Sequence, residues 1–292
     1  MASDDAVERF ALAASIVPYN FAGWSPDDFI DSIARMGLNG VEMHAPPQWG
    51  ERRGTVLRER LVDAGLDPLS SKYLTGGVGI DVVPSTLALE GDALGRALEA
   101  YRRECDVATD AGFPSMVVFA GLRRANPADR ESELAITGRA LGRVAAIARD
   151  RGLTVLLETH AQSIGYDHVS FLELRGWSEA ENLLANVDPS NYAAVRVDVV
   201  EAISELGRLV GGVHVKDMLA GTEDEPLWAP PGAGVTNWTA VIDALRRTGY
   251  RGPLVIEYEA GITGAFPVDP DRGTRVSAAH IVGILEGAQN DY

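Results

Sequence analysis

The chain has 292 residues, of which 46% are hydrophobic and 23% charged. That apolar share excludes disorder as the main state, and no apolar run comes near the roughly 20 residues that span a membrane. With 42 acidic residues against 26 Lys and Arg the net charge is −16, which argues against a nucleic-acid partner because phosphate contacts need basic side chains. Cys105 is the single cysteine. Neither an internal disulfide nor a cysteine zinc cluster can form, and Cys105 is expected as a small buried hydrophobe. Met1 to Phe10 has neither the basic n-region nor the apolar core of a secretory signal, so the expected compartment is the cytoplasm.

Short apolar runs alternate with helical patterns from end to end. Ala11 to Tyr19 is the first apolar run. Ser25 then caps a helix with Pro26 at its first position and Asp27 and Asp28 in its first turn, and Gly37 closes it. Gly40 to His44 reads as a second strand, Arg52 to Ala64 as a helix closed by Gly65, and Leu66 to Tyr73 as a weaker third strand. Leu94 to Ala111 is a long helix, Ser115 to Ala120 a fourth strand, and Pro127 to Arg151 another helix. Leu153 to His160 is the fifth strand. After it, Ala161 to Trp177 is expected as a long loop, carrying His168, over the mouth. Ser178 to Val187 is expected as a short helix, Ala193 to Val199 as the sixth strand, and Glu201 to Leu209 as a helix. Gly212 to Lys216, the helix from Asn237 to Thr248 closed by Gly249, Leu254 to Tyr258 and a last helix from Thr274 to Gln289 complete eight strand–helix units. Alternation of this kind implies a parallel sheet. Eight units in fewer than 300 residues fit a closed (β/α)8 TIM barrel of the α/β class, formed by residues 1–292 as one domain. The rival, a doubly wound sheet, lacks its Gly-rich turn after the first strand.

In such a barrel the chemistry sits at the C-terminal strand ends. Five strands end in polar residues: Glu42 and His44, Glu158 and His160, Arg196 and Asp198, His214 and Lys216, and Glu257 and Glu259. Each pair is spaced i, i+2, which places both members on one strand face. Burying that many carboxylates needs a compensating cation. Glu158, Asp198, His214 and Glu257 come from four consecutive strands and can converge on one divalent metal, with Mn, Mg or Co favoured and Zn or Fe possible. His160 and Lys216 are auxiliary acid–base groups, and Glu42, His44, Arg196 and Trp228 are expected to line the substrate. Arg123 and Arg124 can meet an anion or cap the next helix, and His280 is expected at the surface.

The segments NGVEMH (Asn39 to His44), LLETH (Leu156 to His160), VRVDVV (Val195 to Val200), GVHVKD (Gly212 to Asp217), PGAGVTNW (Pro231 to Trp238) and LVIEYE (Leu254 to Glu259) occur in that order. Together they resemble the sugar phosphate isomerase/epimerase superfamily, the xylose-isomerase-like barrels. The resemblance implies Glu158, Asp198, His214 and Glu257 as metal ligands. In the ketose 3-epimerase branch the two glutamates, here Glu158 and Glu257, also exchange the proton. The chain departs from that branch. It has Glu201 for a His three residues after the metal Asp, Ala220 for an Arg six after the metal His, and Ile164 for a Glu six after the first metal Glu. The His-Val-Lys-Asp run looks more like the inosose dehydratase and isomerase branches or the lyases of 3-keto-glycosides.

The expected activity is a metal-dependent isomerase or epimerase that removes a proton beside a carbonyl of a sugar-like substrate. The alternatives are a lyase or dehydratase of a keto-sugar, keto-cyclitol or 3-keto-glycoside, and a non-catalytic ligand-binding barrel. An endonuclease IV-type repair enzyme would need more than 5 His and a basic face. The partner is a small, unphosphorylated sugar-like molecule, with no nucleic acid and no membrane; a homo-oligomer or a partner subunit is compatible with the sequence.

Overall fold

A computed structural model describes residues 10–73, 87–122, 129–221, 226–264, 266 and 268–287. The barrel strands are β1 (Leu12–Ser15), β2 (Gly40–Glu42), β3 (Asp67–Tyr73), β4 (Ser115–Val118), β5 (Thr154–Glu158), β6 (Leu183–Val187), β7 (Val210–Val215) and β10 (Leu254–Ile256). They close in the order β1-β10-β7-β6-β5-β4-β3-β2, and every barrel pair is parallel. This is the (β/α)8 TIM barrel. The helices are α1 (Val17–Phe21), α2 (Pro26–Met36), α3 (Arg53–Ala64), α4 (Gly91–Ala111), α5 (Arg130–Arg149), α6 (His168–Ser178), α7 (Pro189–Ala194), α8 (Val199–Leu206), α9 (Trp238–Thr248) and α10 (Pro270–Gly287). A small antiparallel pair, β8 (Asp217–Gly221) and β9 (Pro226–Ala229), follows β7.

Local chemistry places the ends of these elements. Ser25 and Asp28 form the capping box of α2, and Gly37 ends it at φ 74°, a left-handed conformation that glycine adopts without strain. Asn237 caps α9 by accepting from the Ala240 N–H.

Along the strands, alternate side chains divide between two layers. Val41, Val155, Leu157, Ala185, Val187, Val213, Val215, Leu254 and Ile256 join the apolar core between barrel and helices. Their neighbours point into the barrel, where the C-terminal layer is polar: Ser15, Glu42, Lys72, Glu158, Asn186, His214 and Glu257, all buried. A bulge between Val41 and Glu42 sets Glu42 opposite Ser70 rather than Leu69. Cys105 is buried in α4, as expected.

Three expectations fail between β5 and β7. Ser178 to Val187 is not a helix: Ser178 ends α6, and Leu183–Val187 is the sixth barrel strand. Ala193 to Val199 is not a strand but the corner between α7 and α8. Its alternating valines imitate a half-buried strand. Local geometry decides otherwise, because Arg196 is left-handed at φ 59° and Asp198 begins a helix. The segment expected as a mouth loop is largely α6, with His168 at its first position. Arg123 and Arg124 lie outside the described residues.

Candidate metal centre at the barrel mouth

Glu158, Asp188, His214 and Glu257 each offer one ligand atom within 4.8 Å of the others, and all four are buried. They come from the ends of β5, β6, β7 and β10. Asp198, expected as the fourth ligand, is exposed at the start of α8, where its carboxylate accepts from the Val200 and Glu201 N–H groups at 2.8 and 3.1 Å. Arg196 is exposed beside it and does not line the mouth. Asp188 takes the position that strand parity assigns: two residues beyond Asn186, on the inward face of β6. Asp188 also caps α7, accepting from the Ser190 N–H at 3.0 Å. Three residues beyond Asp188 stands Asn191, which donates to Asp188 Oδ2 at 2.6 Å.

The imidazole of His214 is fully enclosed. Its Nε2 lies 3.1 Å from Glu42 Oε1, and the Asn186 amide nitrogen is 2.9 Å away. An Nε2–H donating to Glu42 leaves the Nδ1 lone pair facing inward. Nδ1 is buried without a hydrogen-bond partner among the described residues, 3.5 Å from both Glu158 Oε1 and Glu257 Oε2. Glu42, expected to line the substrate, is thus engaged from three sides: His214, the Ser70 hydroxyl at 2.8 Å and Lys72 Nζ at 3.3 Å.

Two lysines enter the same layer. Lys72, from β3, touches Glu257 Oε1 and lies 3.8 Å from Glu158. Lys216 lies 3.0 Å from Asp188, 3.1 Å from Glu257 and 2.7 Å from Glu259, with its ammonium 4.8 Å above the Trp228 ring. Sequence pattern singled out Lys216 but not Lys72, Asn186 or Asp188. The i, i+2 spacing of Asn186 and Asp188 on an apolar run before a proline was the available signal for two of them. Lys72 lies in a strand whose Pro and serines blunt the apolar pattern.

Burial alone would raise the carboxyl pKa values and lower those of the lysines. The mixed charges reverse this. Lys72 and His214 outweigh burial at Glu42 and Glu158, and Lys72, Lys216 and His214 do so at Glu257, so all three are held low. Carboxylates outweigh burial at Lys72, Lys216 and His214, which are raised well above their usual values. Glu259 goes the other way, raised by burial despite Lys216. His160 is lowered by burial; its Nδ1 accepts from the Gln162 N–H at 3.2 Å and its ring makes a T-shaped contact with Phe119.

This donor set fits a divalent cation. Among the described residues, the buried carboxylates of Glu42, Glu158, Asp188 and Glu257 are countered by the ammonium groups of Lys72 and Lys216 and, when it is protonated, by His214. With His214 neutral, two negative charges stay unbalanced, and the orphaned Nδ1 points at the three carboxylates that would share the ion. Oxygen and imidazole donors suit Mn, Mg, Co, Zn or Fe.

The turn after β9 does not offer a phosphate nest. Asp217 already fills it, accepting from the N–H groups of Met218, Gly232 and Thr236 and from the Trp238 indole at 2.8 to 3.2 Å.

A family model described as the xylose isomerase-like TIM barrel matches residues 30–282. The chain belongs to this family. No curated protein matches it in sequence. Among solved structures, this xylose isomerase-like barrel resembles an L-ribulose 3-epimerase (18% identity, TM-score 0.76, covering 97% of this chain and 96% of that one). It also resembles the 3-keto-D-glucoside 4-epimerase of E. coli (16%, TM-score 0.73, 94% and 100%) and a "probable 3-DHS dehydratase" of Bacillus anthracis (17%, TM-score 0.74, 93% and 98%). At these identities the likeness is one of fold.

Proposed function

We propose that this xylose isomerase-like barrel is a divalent-metal-dependent enzyme that removes a proton beside a carbonyl of an unphosphorylated sugar-like substrate. The observation that carries the reading is the buried, unpartnered Nδ1 of His214 facing Glu158, Asp188 and Glu257. An apolar ligand-binding barrel would have no use for that set. A divalent cation held there supplies Lewis-acid polarisation of a carbonyl and its neighbouring hydroxyl.

The protein groups do the rest. Glu42, accepting from His214 Nε2–H, fixes the tautomer, an outer carboxylate partner that metal-binding imidazoles commonly have. A carboxylate of the cluster takes the α-proton. Lys216 is a charged donor, restrained by Trp228 through cation–π contact and by Glu259, and it can bind or protonate a substrate oxygen. His160 and His44, both mostly neutral through burial, supply hydrogen bonds to hydroxyl groups. The solved structures that share the fold include, by name, two epimerases and a probable dehydratase. The Lys216–Glu259 pair favours the lyase reading as the second one, because a leaving hydroxyl or alkoxide needs a proton donor.

Solvent-deuterium exchange tests the reading. Protein loaded with Mn or Co is incubated in heavy water with ketoses, inososes and 3-keto-glycosides, beside a chelated control. Deuterium at carbon in recovered sugar, lost on chelation, is the expected isomerase or epimerase result. Chelator-sensitive loss of water or aglycone selects the lyase. Protein that binds no divalent metal at all overturns the proposal.

A further inference from the structure

Glu158 and Glu257 stand in the same cluster but are not equivalent. The two oxygens of Glu257 face different partners. Oε2 faces His214 Nδ1 at 3.5 Å and Lys216 at 3.1 Å. Oε1 meets the Lys72 ammonium and accepts from the Ser15 hydroxyl at 3.3 Å. Glu158 is held more loosely: its nearest basic nitrogens among the described residues are His214 Nδ1 at 3.5 Å and Lys72 Nζ at 3.8 Å.

Resting on the metal reading above, we infer that Lys72 is a positioning residue: with Ser15 it occupies Glu257 Oε1, so that Glu257 serves as a one-oxygen ligand and Glu158 is the site's single proton-transfer carboxylate. Lys72 is placed for this by the barrel itself. It projects inward from β3 and is 3% exposed, so its ammonium must be satisfied by the layer it enters. Glu42, at 3.3 Å, anchors it from the neighbouring strand. A carboxylate oxygen that accepts from an ammonium and a hydroxyl is poorly placed to take a carbon-bound proton, because removing the proton requires giving up those bonds in a water-poor layer. Inversion at carbon by two carboxylates, one on each face of the substrate, needs both oxygens free. A one-carboxylate site suits transfer on one face, as in ketose–aldose isomerisation, or removal without return, as in β-elimination.

The test uses the full-length protein stripped of metal and titrated with Co(II), read by calorimetry and by the visible absorption of the bound ion. Two variants are compared with the wild type. Lys72→Met removes both charge and donor; Lys72→Gln removes the charge and keeps a donor for Glu257 Oε1. Each loses an ammonium that opposes the metal, so affinity is expected to rise about tenfold or more in both. The wild-type cobalt spectrum is expected to persist in Lys72→Gln and to change in Lys72→Met, because freeing Oε1 alters the coordination of the ion. Equal or weaker affinity in the variants overturns the inference, as does one unchanged spectrum in all three. If Lys72→Met does not fold, the affinity of Lys72→Gln still decides. Wild-type protein that binds no cobalt sinks the metal reading and this inference with it, an outcome distinct from a wild type that binds and variants that do not differ.

Discussion

His44 follows the last residue of β2 by two positions, and its Nδ1 is buried without a hydrogen-bond partner among the described residues. Burial, then the Arg53 charge, lower its pKa from 6.5 to about 4. The sign of the stability effect follows from which state binds the proton. Between those two values the unfolded chain takes a proton that the folded chain refuses, so stability falls as pH drops from 7. At pH 5 the loss amounts to about 2 kcal/mol, at 1.36 kcal/mol per unit below 6.5. The expected result is that urea unfolding at pH 7 and pH 5 shows His44→Gln losing about 2 kcal/mol less than the wild type over that interval. Equal losses would mean that His44 is not held neutral by the fold. The same residue scale explains why Lys72 escapes a sequence reading. A lysine in a Pro- and Ser-bearing strand carries no periodic signal, and only the closed barrel reveals that its face is the one shared with Glu42 and Glu257.

At the scale of elements, Asp188 and Asp198 have the same local role and different consequences. Each follows valine and accepts N–H groups at the start of a short helix. Only Asp188 also ends a barrel strand. Most of the barrel is legible in the sequence because its helices carry their own stop signals, as at Ser25, Gly37, Gly65, Asn237 and Gly249, and because strands such as Thr154–Glu158 are apolar runs of strand length. The segment from Ser178 to Val199 is not, because β6 is followed by two short helices rather than one. The Val-Arg-Val-Asp-Val run has the strand period without a strand's position. Glu158, His214 and Glu257 come together because their strands lie where the pattern puts them, whereas Asp198 stands apart from them because its expected strand is a helix corner. The prediction is correspondingly sharp. Asp188→Asn is expected to weaken Mn or Co binding about 100-fold, read by calorimetry. Asp198→Asn is expected to leave metal binding within about twofold and to change folding stability by less than about 1 kcal/mol, since Asn is also a good cap. Loss of metal in Asp198→Asn with retention in Asp188→Asn would reverse the assignment.

At the scale of the whole molecule, the polar layer is enclosed by an apolar one, and its charges must be satisfied within the barrel. Lys72 and Lys216 satisfy part of them. With His214 protonated, one negative charge of this group remains buried where water cannot screen it, and a second appears when the imidazole gives up its proton. A divalent ion that enters the folded barrel and has no comparable site on the unfolded chain stabilises the native state by mass action. At a free concentration 100-fold above its dissociation constant the gain is about 2.7 kcal/mol. For a domain of this size that corresponds to a rise of several degrees in melting temperature, at roughly 2–4 °C per kcal/mol. The effect should follow concentration logarithmically, disappear with a chelator and be absent in Asp188→Asn. It should also weaken on acidification, because His214 is raised by Glu42, Glu257 and Glu158 and holds a proton that the metal must displace. A thermal melt with and without Mn or Co at pH 8 and pH 6 reads all of this. A shift of equal size in Asp188→Asn would place the ion elsewhere on this acidic chain, and a shift larger at pH 6 than at pH 8 would exclude His214 as a ligand.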